Sequence, residues 1–138
     1  MAGITDLATL LTNMSPVLMD GEFVFCTQEL KGDTSEVLAA AVALKPLATF
    51  VEPEGLTLVL AKAVADQHGL GYEGVFKGIT LTVHSSLEAV GLTAAVATRL
   101  AEYSISANVV AAYYHDHVFV PVNRAEEALQ ALATMNTP

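Results

Sequence analysis

The chain has 138 residues, and its 53% hydrophobic and 15% charged content describes a folded protein, one ordinary domain or two very small ones, rather than a disordered segment. Fifteen acidic residues against six basic ones leave a formal charge of −9. That balance repels a phosphate backbone, so no nucleic acid and no anionic membrane is expected as a partner. So apolar a composition in so small a chain leaves surface for another subunit to cover, and a homo-oligomer, in its simplest form a homodimer, is expected.

In chain order, Met1-Ala2-Gly3-Ile4-Thr5-Asp6 has neither the basic segment nor the apolar run of a signal peptide. Pro16 to Met19 and Glu22 to Thr27 read as two short strands joined at Asp20-Gly21, a strong hairpin signal. Cys26 lies in an apolar strand with no second thiol to pair with, and reads as a small buried hydrophobe. Asp33-Thr34-Ser35-Glu36 caps a helix that runs to about Leu44, where Pro46 stops it. The apolar stretch Val37 to Leu44 is too short to span a bilayer, and a cytoplasmic location is expected. Leu47 to Glu52 and Leu56 to Leu60 are strands around Pro53-Glu54-Gly55, followed by a short helix over Lys62 to His68 that Gly69 and Gly71 end.

The same order then returns. Ile79, Leu81 and Val83 alternate with Thr80 and Thr82, the pattern of a strand with one buried face. Leu92, Val96, Leu100 and Tyr103 line one face of a helix. Ile105 to Tyr113 and Val118 to Val122 form a second hairpin around Tyr114-His115-Asp116-His117, and Asn123 caps a last helix with Ala125, Leu129 and Leu132 inward. The two hairpin-and-helix segments align with a shift of about sixty residues. Each copy is a β-α-β-β-α unit of ferredoxin-like plan, which calls for a further strand beside the first. Pro16 to Met19 can fill that slot in the first copy, and the second copy either stays open at that edge or borrows a strand.

The joint between strand and helix, Val83-His84-Ser85-Ser86-Leu87-Glu88-Ala89-Val90-Gly91-Leu92, carries the chemistry. Hydroxyls and a glycine just where a helix begins leave backbone N–H groups able to hold a small anion. Ser85 and Glu88 also fit a capping box, with each side chain satisfying a backbone donor of the other. Alternatively the helix starts at Gly91 and frees those donors, and the two readings are compatible if a short turn precedes the helix. Elsewhere, His115 and His117 are two residues apart but read as a polar hairpin tip, since no third metal ligand is evident. His84 beside Ser85 and Ser86 lacks the strained elbow of a nucleophile. No catalytic residues, cofactor or metal are expected. Asn108, on a strand of small and apolar residues, needs a hydrogen-bond partner if buried. Tyr113 and Tyr114 fall on opposite faces of their strand, with packing the default for both.

Gly91-Leu92-Thr93-Ala94-Ala95-Val96-Ala97-Thr98-Arg99-Leu100-Ala101-Glu102-Tyr103-Ser104-Ile105 resembles the signature of ACT domains, with Glu88 at its acidic position, Gly91 at its glycine, and Val90 where proline is usual. The wider pattern, with Tyr113-Tyr114-His115-Asp116-His117-Val118-Phe119-Val120-Pro121-Val122, is similar to small bacterial proteins made of two ACT-like units. The resemblance implies an α+β fold of two ferredoxin-like (βαββα) ACT units packed side by side with antiparallel sheets. A divergent unit would occupy residues 1–70 and a second unit residues 71–138. It implies a non-enzymatic regulatory protein that binds an amino acid or similar small ligand between units. The ligand-binding residues would be His84, Ser85, Ser86, Leu87, Glu88, Val90, Gly91 and Leu92 of the loop, with Ile105, Ser106, Ala107 and Asn108 of a neighbouring unit's second strand. The rival expectation is an interaction module that pairs through its open sheet edge or its helices and takes no small ligand.

Overall fold

The structure, a computed structural model, describes residues 6–83 and 86–135. Its elements are α1 (Leu7–Asn13), β1 (Pro16–Leu18), β2 (Phe23–Gln28), α2 (Thr34–Ala43), β3 (Ala48–Glu52), β4 (Gly55–Ala61), α3 (Lys62–Gln67), β5 (Phe76–Leu81), α4 (Leu92–Glu102), β6 (Asn108–Ala111), β7 (Asp116–Pro121) and α5 (Ala125–Ala133). They form two compact units. One holds the segment up to Asp20 together with everything from Phe76 onward, and the other is the continuous stretch Gly21–Val75. The fold class is the expected one, α+β with antiparallel ferredoxin-like units. In packing, α1 and β1 join the stretch from Phe76 onward.

In the Gly21–Val75 unit, β4 lies between β2 and β3 and pairs antiparallel with both. Asp33 is the N-cap of α2, its carboxylate accepting from Ser35 N at 2.9 Å, which ties down one of the orphan amides of the first turn. Val24, Cys26, Leu56, Leu58 and Leu60 alternate inward along β2 and β4 to meet Ala41 of α2 and Ala65 of α3. Burial raises the Cys26 thiol above its ordinary value, as expected of an inert packed cysteine. Lys62, Asp66 and Tyr72 tie α3 to the segment after it: Lys62 Nζ lies 2.9 Å from Asp66 Oδ2, and Tyr72 OH donates to Asp66 Oδ1 at 2.6 Å.

In the other unit, β5 pairs antiparallel with β7, β7 with β6, and β1 with β5. Val17 sits opposite Thr80, so Pro16–Leu18 fills the slot beside the first strand of the second copy rather than of the first. Of the two outcomes expected for that edge, the second holds: it borrows a strand, the chain's own β1. The Asp20-Gly21 turn is real, with Gly21 at φ +87°, but it passes the chain from one unit to the other. The pairing is held by Met19 N to Gly78 O at 2.8 Å and Thr82 N to Ser15 O at 2.9 Å. Gly78 makes room for it, since a Cβ there would lie 2.6 Å from Met19 Sδ and 3.1 Å from Phe119 Cε2.

A helix unforeseen in the sequence completes this unit. Asp6 caps α1 by accepting from Thr9 N at 2.9 Å, and Leu10 and Met14 are buried with Ile79, Leu81, Val96, Leu100, Val118, Val120 and Leu132. The last helix starts differently from expectation. Asn123 lies inside a 3₁₀ turn over Val122–Arg124, and α5 has no side-chain cap. Arg124 instead reaches the end of α4, donating to Tyr103 O at 2.8 Å and Ser104 O at 3.3 Å, where a cation meets unpaired carbonyls. Among the described residues no helix is long and apolar enough to cross a membrane.

Candidate functional site

The described residues of the strand-to-helix joint of the second copy lie within the unit that contains α1. Helix α4 begins at Leu92 with Gly91 as its N-cap, at φ +105° and ψ −21°, a left-handed conformation that L side chains rarely adopt. Its Cα faces Leu7 of α1, whose Cδ2 would lie 3.0 Å from an added Cβ. Having no side chain, Gly91 caps nothing, so the N–H groups of Leu92, Thr93 and Ala94 are orphan donors at the positive end of an eleven-residue helix. A short turn precedes it, with Ala89 N donating to Ser86 O at 2.9 Å and Glu88 N to Ser86 Oγ at 3.1 Å. The capping box expected of Ser85 and Glu88 falls on a residue outside the described ones. Ser86 works locally to fold the turn. His84 and Ser85 lie outside the described residues.

Ser86, Leu87, Ala89, Gly91, Leu92 and Thr93 of the joint line a pocket of about 120 Å³ together with Ala111 of β6 and Asp116 of β7. Typical pockets for drug-sized ligands run to about 300–1,000 Å³, so this one suits a small polar group. Asp116 was expected in the hairpin turn. It is instead the first residue of β7, on the same inward face as Val118 and Val120, and only 8% exposed. Burial pushes its carboxyl above the usual carboxylate range, and the neighbouring His117 and His115 only partly offset this. His117 Nδ1 is within 3.0 Å of Thr80 Oγ1, and burial lowers its pKa. Asp116 was missed because Tyr113 to His117 reads as a polar turn. The signal was its two-residue spacing from Val118 and Val120, which puts it on the buried face.

The remaining expected residues are not gathered here. Val90 and Leu87 are largely exposed, although Leu87 borders the pocket. Ile105 is buried and terminates α4: Ser104, at φ +56°, donates to Ala101 O at 2.9 Å and Ile105 N to Leu100 O at 3.0 Å, the two bonds of a Schellman end. Ser106 is exposed and Ala107 half-buried. Asn108 begins β6, its Nδ2 donating to Phe119 O at 3.3 Å. Within this unit none of these four lines the pocket. Tyr113 and Tyr114 follow β6 rather than belonging to it, and are exposed with rings 4.9 Å apart edge to face.

Comparison with known proteins agrees with this fold. An ACT domain is matched over residues 2–77 and a second over residues 77–134. A Vibrio cholerae protein of unknown function, described as a possible transport protein, is 56% identical, with 99% of this chain and 100% of that one covered and a TM-score of 0.82. The fold is shared with an Agrobacterium tumefaciens protein (14% identity, 89% of each chain, TM-score 0.67). It is shared too with the regulatory subunit of aspartate kinase from Thermus flavus (12% identity, 88% of this chain and 96% of that one, TM-score 0.65). No curated protein matches. With both halves matched and the antiparallel ferredoxin-like units in place, the chain belongs to the ACT-domain family, as two ACT domains in tandem.

Proposed function

We propose that the protein is a non-enzymatic regulatory module that binds a free amino acid, seating the ligand carboxylate on the first-turn amides of α4. The observation that carries this reading is the uncapped start of α4 at Gly91, opening onto a small pocket among Ser86, Leu87 and Thr93. ACT domains are regulatory ligand-binding modules, and an aspartate kinase regulatory subunit shares the fold. In a homodimer, a second copy's Ile105 to Asn108 would cover the loop and complete the seat. Binding would signal by favouring one arrangement of the subunits over another.

The test is a thermal-shift panel of the twenty amino acids on the full chain and on two variants at Gly91. Gly91→Ala and Gly91→Asp both strain the backbone, by about 1–2 kcal/mol, and only the second puts a carboxylate among the same amides. One or a few amino acids should stabilise the wild type saturably. The response should survive in Gly91→Ala at a lower Tm and vanish in Gly91→Asp. No response at millimolar ligand, or an unchanged response in Gly91→Asp, rejects the seat.

A further inference from the structure

The pocket's lining says what kind of molecule fits it. Asp116 is the single charged residue among the described buried ones. None of the hydrogen bonds or ion pairs of the described residues involves its carboxyl. Yet no described side-chain oxygen is both fully enclosed and unpaired, so the carboxyl must keep open space beside it. The space it borders is the pocket at the start of α4. A bare carboxylate entering there would gain the orphan amides of Leu92 and Thr93 but share the pocket with a second negative charge. A ligand that brings its own cation removes that conflict.

We propose that Asp116 receives the ammonium group of the ligand, so that the pocket selects a small, free α-amino acid in its zwitterionic form. This rests on the carboxylate seat proposed above. Carboxylate to amides and ammonium to Asp116 form two charge-assisted contacts within one pocket. A pocket of about 120 Å³ leaves little room beyond those two groups. Molecules with one of the charges missing leave either Asp116 or the amides unpaired, and a buried unpaired partner is what makes discrimination steep.

Titration followed by NMR on the full chain tests this, with glycine, alanine and serine as probes against acetate, propionate and 3-hydroxypropionate. In the wild type each responding amino acid should bind at least about tenfold more tightly than its des-amino partner. Asp116→Asn should weaken the amino acid by about the same factor and leave the acid unchanged or tighter, because a like charge has gone. Equal affinity for the two members of a pair, or undiminished amino-acid binding by Asp116→Asn, overturns the role of Asp116 and leaves the amide seat standing. Should the variant not fold, the wild-type pairs decide alone. Silence from all three small amino acids while a larger one responds in the twenty-member panel also overturns this inference only. Silence throughout removes the carboxylate seat as well.

Discussion

Leu10→Ala probes the packing that the sequence hid. Leu10 is fully buried on α1, in the same cluster as Ile79, Leu81, Val118 and Val120, although more than sixty residues separate it from the first of them. Removing three carbons forfeits about 2.4 kcal/mol of transfer free energy at about 0.8 kcal/mol per carbon. The residual cavity adds to that, and measured Leu→Ala losses in cores span about 2–5 kcal/mol. A value near 3 kcal/mol is expected, since a seven-residue helix can partly collapse onto the gap. At about 1.4 kcal/mol per factor of ten, amide exchange limited by opening of this unit should accelerate roughly a hundredfold. Hydrogen exchange read residue by residue is the assay. The acceleration should appear at Ile79, Leu81, Val118 and Val120 and be much smaller at Val24, Leu58 and Leu60. Equal acceleration in both sets, or an effect concentrated in β2 and β4, would refute the assignment of α1 to the C-terminal unit.

Gly78→Ala should cost about 1–3 kcal/mol by overpacking, because the new Cβ lands on Met19 Sδ and close to the buried Phe119 ring. Chemical denaturation of Gly78→Ala, Met19→Ala and the double variant should show part of that cost recovered in the double, and strict additivity would exclude the Met19 contact as its source. Asp116→Asn should stabilise the ligand-free protein at neutral pH. The folded state holds the Asp116 proton more tightly than the unfolded state does, so the contribution of this carboxyl is fully present below the ordinary carboxylate value and is lost as pH rises through the raised one. The gain in Tm should therefore fade below the ordinary carboxylate range, and a gain that persists in acid would point to packing rather than charge.

Local patterns in the sequence were enough for elements whose causes are local. Asp33 announces α2 because an N-cap needs only its own first turn, and Gly91 announces a special backbone because few other residues tolerate its φ. The alternation at Ile79 and Leu81 likewise requires one strand and one buried face. The misreadings share a different origin. Asp20-Gly21 is a genuine turn, but which strand Pro16–Leu18 pairs with depends on an edge offered by β5, far along the chain. Helix α1 had its signals, an Asp6 cap and leucines at 7, 10 and 11, in a segment too short for periodicity to stand out. At Asp116 the residue type suggested a turn, while its register with Val118 placed it inside. The loop half of the candidate site was therefore readable, and its acidic wall was not.

The pairing of Val17 with Thr80 also bears on how the protein is made. On the ribosome the Gly21–Val75 segment emerges with its own helices and its β2–β4–β3 pairings complete and can condense early, as a compact insert. The strand before it must wait, unpaired, until β5 has been synthesised, and its core is complete only when α5 at the end of the chain has left the exit tunnel. Early condensation of the insert shortens the effective loop that separates β1 from β5, lowering the entropic cost of their long-range closure. The tandem repeat thus doubles as a folding schedule, in which the middle domain brings together the two ends of the other.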